Sequence, residues 1–394
     1  MNICIIGGGS AGWMTACYLI KSDPSLNITL IESHEIPIIG VGESTVPSFV
    51  DFINYVGLTE EDLFNNVGSI RKYTAQHNDW DYKGHSWWHH FIFDKNQEEE
   101  QLQWMNNKVK PDKKWRFSYH IDANKFAILL RDKVGLPAGI NHVYDTIQSV
   151  EIDGDIKSVT GDKNIYTADL FIDCSGLSRL LIDKFDIKKE SNPLLINNKA
   201  WVGQVSHQGN EINNYTKSFA MKYGWQWNIY LQDRVGVGYV FCDSFVTDDE
   251  AKDELIKNCH YDIKDINLRL INFKSEWNTI VWHKNVLAIG LSAGFLEPLE
   301  ATGIFLVQMQ IQMLSRVINK QNNIKLYNKF WNIMIKHISE YIEIHYTLSS
   351  RTDTEYWNSF NKIKEVEYNH TYSPLFHTYS YDAITSAYSA RLLK

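Results

Sequence analysis

The sequence predicts an α/β fold with three parts: a Rossmann-like N-terminal unit, an antiparallel β-sheet region and a helical C-terminal part. Three observations predict it. Residues 3–21 read as an apolar strand, a glycine-rich turn and an amphipathic helix. Residues 195–283 carry several short, aromatic-rich β-like segments. After residue 303 two stretches show the i, i+3, i+4 spacing of amphipathic helices.

Ile3-Cys4-Ile5-Ile6 is apolar throughout, as a strand buried on both faces requires. Gly7, Gly8, Gly9, Ser10, Ala11 and Gly12 follow, with the spacing G-x-G-x-x-G. Gly7 serves the tight turn, Gly9 lets the backbone approach a pyrophosphate, and Gly12 lets the next helix pack on the strand. That helix points free N–H groups and a positive dipole end at the phosphates. A second strand at 27–31 ends in Glu32, twenty residues past Gly12, where a carboxylate can bind a ribose hydroxyl. Strand, helix and acid in register predict a dinucleotide site.

The chain has 394 residues, enough for two domains or one large domain with an insertion. We divide it into a nucleotide-binding module at 1–323 and a helical segment with tail at 324–394. The net charge of −8 argues against nucleic acid or an anionic membrane as partner. Five cysteines, odd in number and never in C-x-x-C, suit reduced thiols in a cytoplasmic protein and no metal site. The first strand starts at residue 3, leaving no room for a signal peptide, and no apolar run has the length of a membrane span. A homo-oligomer is compatible with all of this.

Between these landmarks, 40–47 (GVGESTVP) is a glycine-bearing loop before a short helix at 48–54. Residues 69–80 read as a strand edge. Residues 81–118, with the acidic run 98–100, read as a surface insertion. Helical periodicity covers 122–133, two β-like stretches at 145–152 and 157–159 flank Asp153-Gly154, and 168–176 is an apolar strand ending at Gly176. A buried strand at 286–289 leads to Gly290, a loop at 294–303 leads to a helix at 304–318, and a second helix covers 325–346. Phe330, Ile333, Met334, His337, Ile338 and Tyr341 form its apolar stripe. A tyrosine-rich tail occupies 368–388.

Several blocks in order resemble the flavin-dependent halogenases, the tryptophan-halogenase group in particular. They are GGGSAGW (7–13), GVGESTVP (40–47), Lys72 with Trp80 downstream, DLFIDCSG (169–176), GWQWNI (224–229), GVGYV (236–240), GFLEPLEATGI (294–304) and SRTDTEYW (350–357). The resemblance implies an enzyme in which reduced FAD (FADH2) and O2 turn a halide into hypohalous acid. A lysine then relays the halogen to an electron-rich aromatic substrate. On this chain the lysine is Lys72 and its acidic partner Glu300, with the halide (chloride, bromide or iodide) at Thr302 and Gly303. Trp225 and Trp227 match a segment that separates flavin from substrate. Gly42, Glu43, Ser44, Gly176 and Gly290 join Gly7–Gly12 and Glu32 around the cofactor. A separate flavin reductase is implied, because no second nucleotide motif serves NADPH.

The residues agree with those roles. Hypohalous acid is an unselective oxidant, and an amine whose pKa is lowered by burial can capture it. A carboxylate can take the proton lost from the ring. N–H groups opening a helix can hold a small anion. Three departures stand out: Tyr230 replaces the family's proline, Ala301 replaces a serine, and the family's long extension past the 350–357 block is missing. A more open site and a substrate other than free tryptophan are therefore expected. Two other readings stay open on sequence alone: a single-component flavin aromatic hydroxylase and a flavin-binding homologue without turnover.

Overall fold

The computed structural model describes residues 1–35, 42–91, 115–207, 212–259, 267–361, 380 and 384–385. The acidic run 98–100, most of the tyrosine-rich tail, and Gly40 and Val41 of the glycine loop lie outside these residues.

The N-terminal expectation holds. Strand Asn2–Ile6 lies inside a six-stranded sheet, parallel to Leu170–Asp173 on one side and Asn27–Glu32 on the other. Val286–Ala288 and Asn141–Tyr144 extend it in parallel, and Trp282–His283 closes one edge antiparallel. Parallel strands buried on both faces account for the continuous apolar runs. Their carboxyl ends gather the turns at Gly7, Asp173 and Gly290 at one end of the sheet, where open α/β sheets bind ligands. Gly7 has φ +114°, and a Cβ there would meet the Cys174 carbonyl oxygen at 2.3 Å. A Cβ on Gly12 would sit 1.9 Å from the Gly7 carbonyl oxygen, so helix Ser10–Ser22 closes onto the strand only because both are glycine. Asp173 pins the next turn: its carboxylate accepts from the backbone N–H of Ser175, Leu181 and Ile182.

The second sheet has seven strands in the order Arg269–Asn272, Lys199–Val205, Val235–Phe241, Gly224–Tyr230, Tyr215–Ala220, Thr74–Asn78 and Ser86–His90. It is antiparallel as expected, apart from Tyr215–Ala220, which runs parallel to Thr74–Asn78. This corrects two expectations. Residues 74–78 are an interior strand, and the segment read as a surface insertion contributes strand Ser86–His90, with Trp87, His89 and His90 buried. Their burial comes from partners distant in sequence, which local polarity cannot report.

A small third sheet sets Ser118–Ile121 between Glu43–Ser44 and Ile70–Lys72, with Ser44 opposite His120 and Lys72 opposite Ser118. The hairpin about Gly154 forms from Ile147–Asp153 and Asp155–Gly161. Helix Thr302–Val317 begins two residues before its expected start, directly after Glu300 and Ala301, both left-handed (φ 64° and 59°). In helix Asn323–Thr347 Met334, Ile338 and Tyr341 are buried as expected, but Ile333 is 47% exposed and falls off the stripe.

Gly12→Val tests the packing of helix on strand. It should lower stability by about 2 kcal/mol or more, in the range of overpacked sites, and weaken flavin binding. Urea unfolding and flavin fluorescence titration measure the two.

Candidate active site

One cavity of about 520 Å³ links the glycine turn to the third sheet. Gly7, Gly8, Gly9, Ser10, Ala11, Glu32, Gly176 and Gly290 line one part of it. Gly42, Glu43, Ser44, Lys72, Trp225, Trp227, Glu300 and Gly303 line the rest. Two expected residues do not line it. Gly12 is spent on packing against Gly7, and Thr302 is buried with its hydroxyl toward the Leu299 carbonyl at 3.5 Å.

The nucleotide end fits a dinucleotide. A Cβ on Gly9 would meet nothing within 4 Å, leaving open space beside the backbone, whereas one on Gly8 would strike the Glu32 carboxylate at 2.3 Å. His142 Nε2 lies 3.0 Å from Glu32 Oε2 and orients the acid. The first turn of helix Ser10–Ser22 holds no acidic residue, so the helix itself sets no negative charge against a phosphate at its N-terminus. Glu43 is half-buried, and burial pushes its carboxyl up to about 7.

Lys72 faces inward. Alternation along Ile70–Lys72 turns Arg71 out to Glu60, at 2.5 Å, and sends the Lys72 side chain into the cavity wall, 3% exposed. Its ammonium donates to Ser44 Oγ at 2.7 Å and to the Thr45 carbonyl at 3.2 Å, and lies 5.0 Å from the centre of the Phe91 ring. Burial pulls its pKa down to about 8, partly opposed by the charge of Glu300.

Glu300 stands inside a cage of imidazoles that the sequence analysis missed. His77 Nε2 and His345 Nε2 lie 2.9 and 3.1 Å from its Oε1, and His89 Nδ1 lies 2.7 Å from its Oε2. Despite the burial of Glu300, these contacts hold its carboxyl well below the usual range. Burial lowers His77 to about 4. His77, His345 and Glu300 offer ligand atoms within 4.8 Å of one another, donors of the type transition ions take. Here the imidazoles already serve the carboxylate. Little in the sequence pointed to them. His77 lies in a strand read as an edge, His89 in a presumed loop, and His345 near the end of an apolar helix.

Trp225 and Trp227 project from one face of Gly224–Tyr230, their rings 5.7 Å apart. Trp225 Nε1 donates to Glu297 Oε2 at 2.9 Å, which also accepts from the Tyr346 hydroxyl at 2.6 Å. Trp227 covers Gly238, where a Cβ would meet its ring at 2.1 Å. Tyr230, in place of the family's proline, is buried, and its carbonyl meets His120 Nδ1 at 3.0 Å.

The family model for tryptophan halogenase matches residues 2–108 and 94–383. The chain belongs to the tryptophan halogenase family. It is 30% identical to the tryptophan 7-halogenase RebH of Lentzea aerocolonigenes over 92% of this chain and 79% of that protein. The flavin-dependent halogenase from Xanthomonas campestris superposes with TM-score 0.88 at 28% identity, covering 98% of this chain and 88% of that one. A flavin-dependent halogenase from Brevundimonas gives 0.87 at 27%, covering 98% and 89%. This chain is accordingly a flavin-dependent halogenase, an oxidoreductase. No helix among its described residues is long and apolar enough to cross a membrane.

The buried lysine makes a stability prediction for this halogenase. The folded pKa of Lys72 lies below its unfolded value, so from about pH 8 to 10.5 the unfolded chain holds the extra proton and Lys72 disfavours folding less as pH rises. Lys72→Met should therefore stabilise the fold at pH 7 by about 1–3 kcal/mol, and the gain should shrink above pH 8. Denaturant midpoints across pH 6–10 measure it.

Proposed function

We propose that this halogenase uses FADH2, O2 and a halide to halogenate an electron-rich aromatic substrate, with Lys72 relaying the halogen. The observation that carries the reading is a buried lysine lining the same cavity as the glycine turn. Bound reduced FAD, with O2, supplies the oxidising power that turns halide into hypohalous acid. Gly7–Ala11 and Glu32 hold its nucleotide part, and Gly42, Glu43, Ser44, Gly176 and Gly290 border it. A separate flavin reductase delivers the reduced form.

The chain's own residues do the rest. The backbone N–H of Gly303, which lines the cavity beside open space, holds the halide; Thr302, expected beside it, does not reach the cavity. Trp225 and Trp227 wall the flavin from the substrate. Lys72, half neutral near pH 8, offers a nitrogen lone pair to the incoming electrophile and confines it. Glu300 receives the proton from the ring, and its three imidazoles keep it ionised until then. Tryptophan, which the name of the relative RebH gives, and the aromatic side chains lining the cavity support an electron-rich aromatic substrate such as an indole, phenol or aniline.

Lys72→Ala should lower halogenated product by at least about a hundredfold, the scale of a positioned catalytic group, while oxidation of reduced flavin continues. Indoles, phenols and anilines with bromide and a reductase form the assay, read by mass spectrometry. Product at the unmutated level would overturn the reading. Anomalous density near residues 302 and 303 in a bromide-soaked crystal tests the halide site separately.

A further inference from the structure

We propose that Glu297 is a positioning residue whose buried carboxylate holds the Trp225 indole in the cavity wall and sets that wall against Glu300. The inference rests on the reading of Trp225 as a partition between flavin and substrate. Two observations carry it: how the carboxylate is bound, and which elements bind it.

Glu297 works from behind the wall. It is 0% exposed and does not line the cavity, although Leu296 and Pro298 on either side of it do. One of its oxygens collects three donors. Oε2 accepts from Trp225 Nε1 at 2.9 Å, from the Tyr346 hydroxyl at 2.6 Å and from Asn197 Nδ2 at 2.9 Å. The Tyr356 hydroxyl donates to Asn197 Oδ1 at 3.1 Å, which fixes the way that amide faces. Burial pushes the Glu297 carboxyl up, and its three hydrogen bonds oppose this. Oε1 meets no partner among the described residues, so the grip lies on the Oε2 side. Bonds to a carboxylate are the strong kind, and a dry interior strengthens them.

The two wall indoles are held differently. Trp227 Nε1 has no partner among the described residues, and its ring is held by packing over Gly238. Packing has no direction, whereas a hydrogen bond weakens steeply once it is off line. Glu297 therefore sets the angle at which the Trp225 ring meets the cavity.

The binding elements tie this wall to the base. His345 and Tyr346 are neighbours near the end of helix Asn323–Thr347, and Glu297 and Glu300 lie just before helix Thr302–Val317. Tyr346 donates to Glu297, and His345 Nε2 lies 3.1 Å from Glu300 Oε1. One helix end thus grips both acids, and through Glu297 it grips strand Gly224–Tyr230 as well. Glu297 itself reaches neither the cavity nor a substrate in it, so it acts through Trp225.

The holoenzyme, with bromide, a reductase and a fixed indole, reads the inference as halogenated product formed per flavin oxidised. Glu297→Leu should lower that ratio by about tenfold, the scale of a lost hydrogen bond to a charged group. The rate of flavin oxidation should stay within about twofold. Trp225→Phe, which keeps a ring and removes the N–H, should lower the ratio too. The double variant should fall no further than the worse single one, because both break one contact. Trp227→Phe is the contrast, and its loss should multiply with that of Glu297→Leu. Glu297→Gln keeps an acceptor oxygen without the charge and should lose only about threefold. If Glu297→Leu does not fold, Glu297→Gln alone and combined with Trp225→Phe makes the same comparison. A second readout needs no flavin: in fluorotryptophan-labelled protein, the fluorine resonance missing from Trp225→Phe should shift or broaden in the Glu297 variant more than the one missing from Trp227→Phe. An unchanged ratio in the Glu297 variant, or losses that multiply with those of Trp225→Phe, would overturn the inference and leave the partition standing. An unchanged ratio in Trp225→Phe would overturn the partition, and the inference with it.

Discussion

An ammonium group taken out of water dictates what surrounds it. Lys72 is nearly inaccessible, and a buried charge is tolerated only where dipoles, partners or a shifted pKa offset the lost hydration. Here all three operate: Ser44 and the Thr45 carbonyl accept its hydrogen bonds, Glu300 supplies a distant negative charge, and the pKa falls to about 8. The same burial that disfavours the ammonium prepares a neutral nitrogen.

Glu300 obeys the mirror rule. Its carboxylate is held ionised by three imidazoles drawn from the second sheet and the long C-terminal helix. Two opposite charges therefore stand on one cavity wall, each with its own compensation. This differs from a simple ion pair between them, in which each would quench the other's chemistry. The left-handed backbone at Glu300 and Ala301 swings the acid into that cage just before helix Thr302–Val317 starts. Strain of that kind persists where surrounding structure holds it, and it clusters at functional sites.

Much of this was legible in the chain. The apolar run 3–6, the G-x-G-x-x-G turn and Glu32 define a local unit whose geometry depends on nearby residues, and they fold as read. Gly7 and Gly12 have their expected jobs because a Cβ at either would collide with backbone. The blocks around Lys72, Trp225 and Glu300 pointed to one family, and the fold and the family match bear this out. Strand 74–78 was misread because its interior place comes from parallel pairing with 215–219, more than a hundred positions away, and strand 86–90 because buried side chains such as His89 face Glu300, far along the chain. The imidazole cage was invisible for the same reason. His77, His89 and His345 belong to three elements and meet only in the folded chain.

The sequence by itself determined the strand–glycine turn–helix unit, the helical C-terminal part and the identity of the residues that carry charge, since these follow from short-range periodicity and from side-chain chemistry. Tertiary structure alone decided which of those residues share a wall. It turned Lys72 inward, set Ser44 opposite His120 and gathered three histidines on Glu300. Strand register and long-range pairing place such groups within hydrogen-bond reach, and neither is written in any local stretch of the chain.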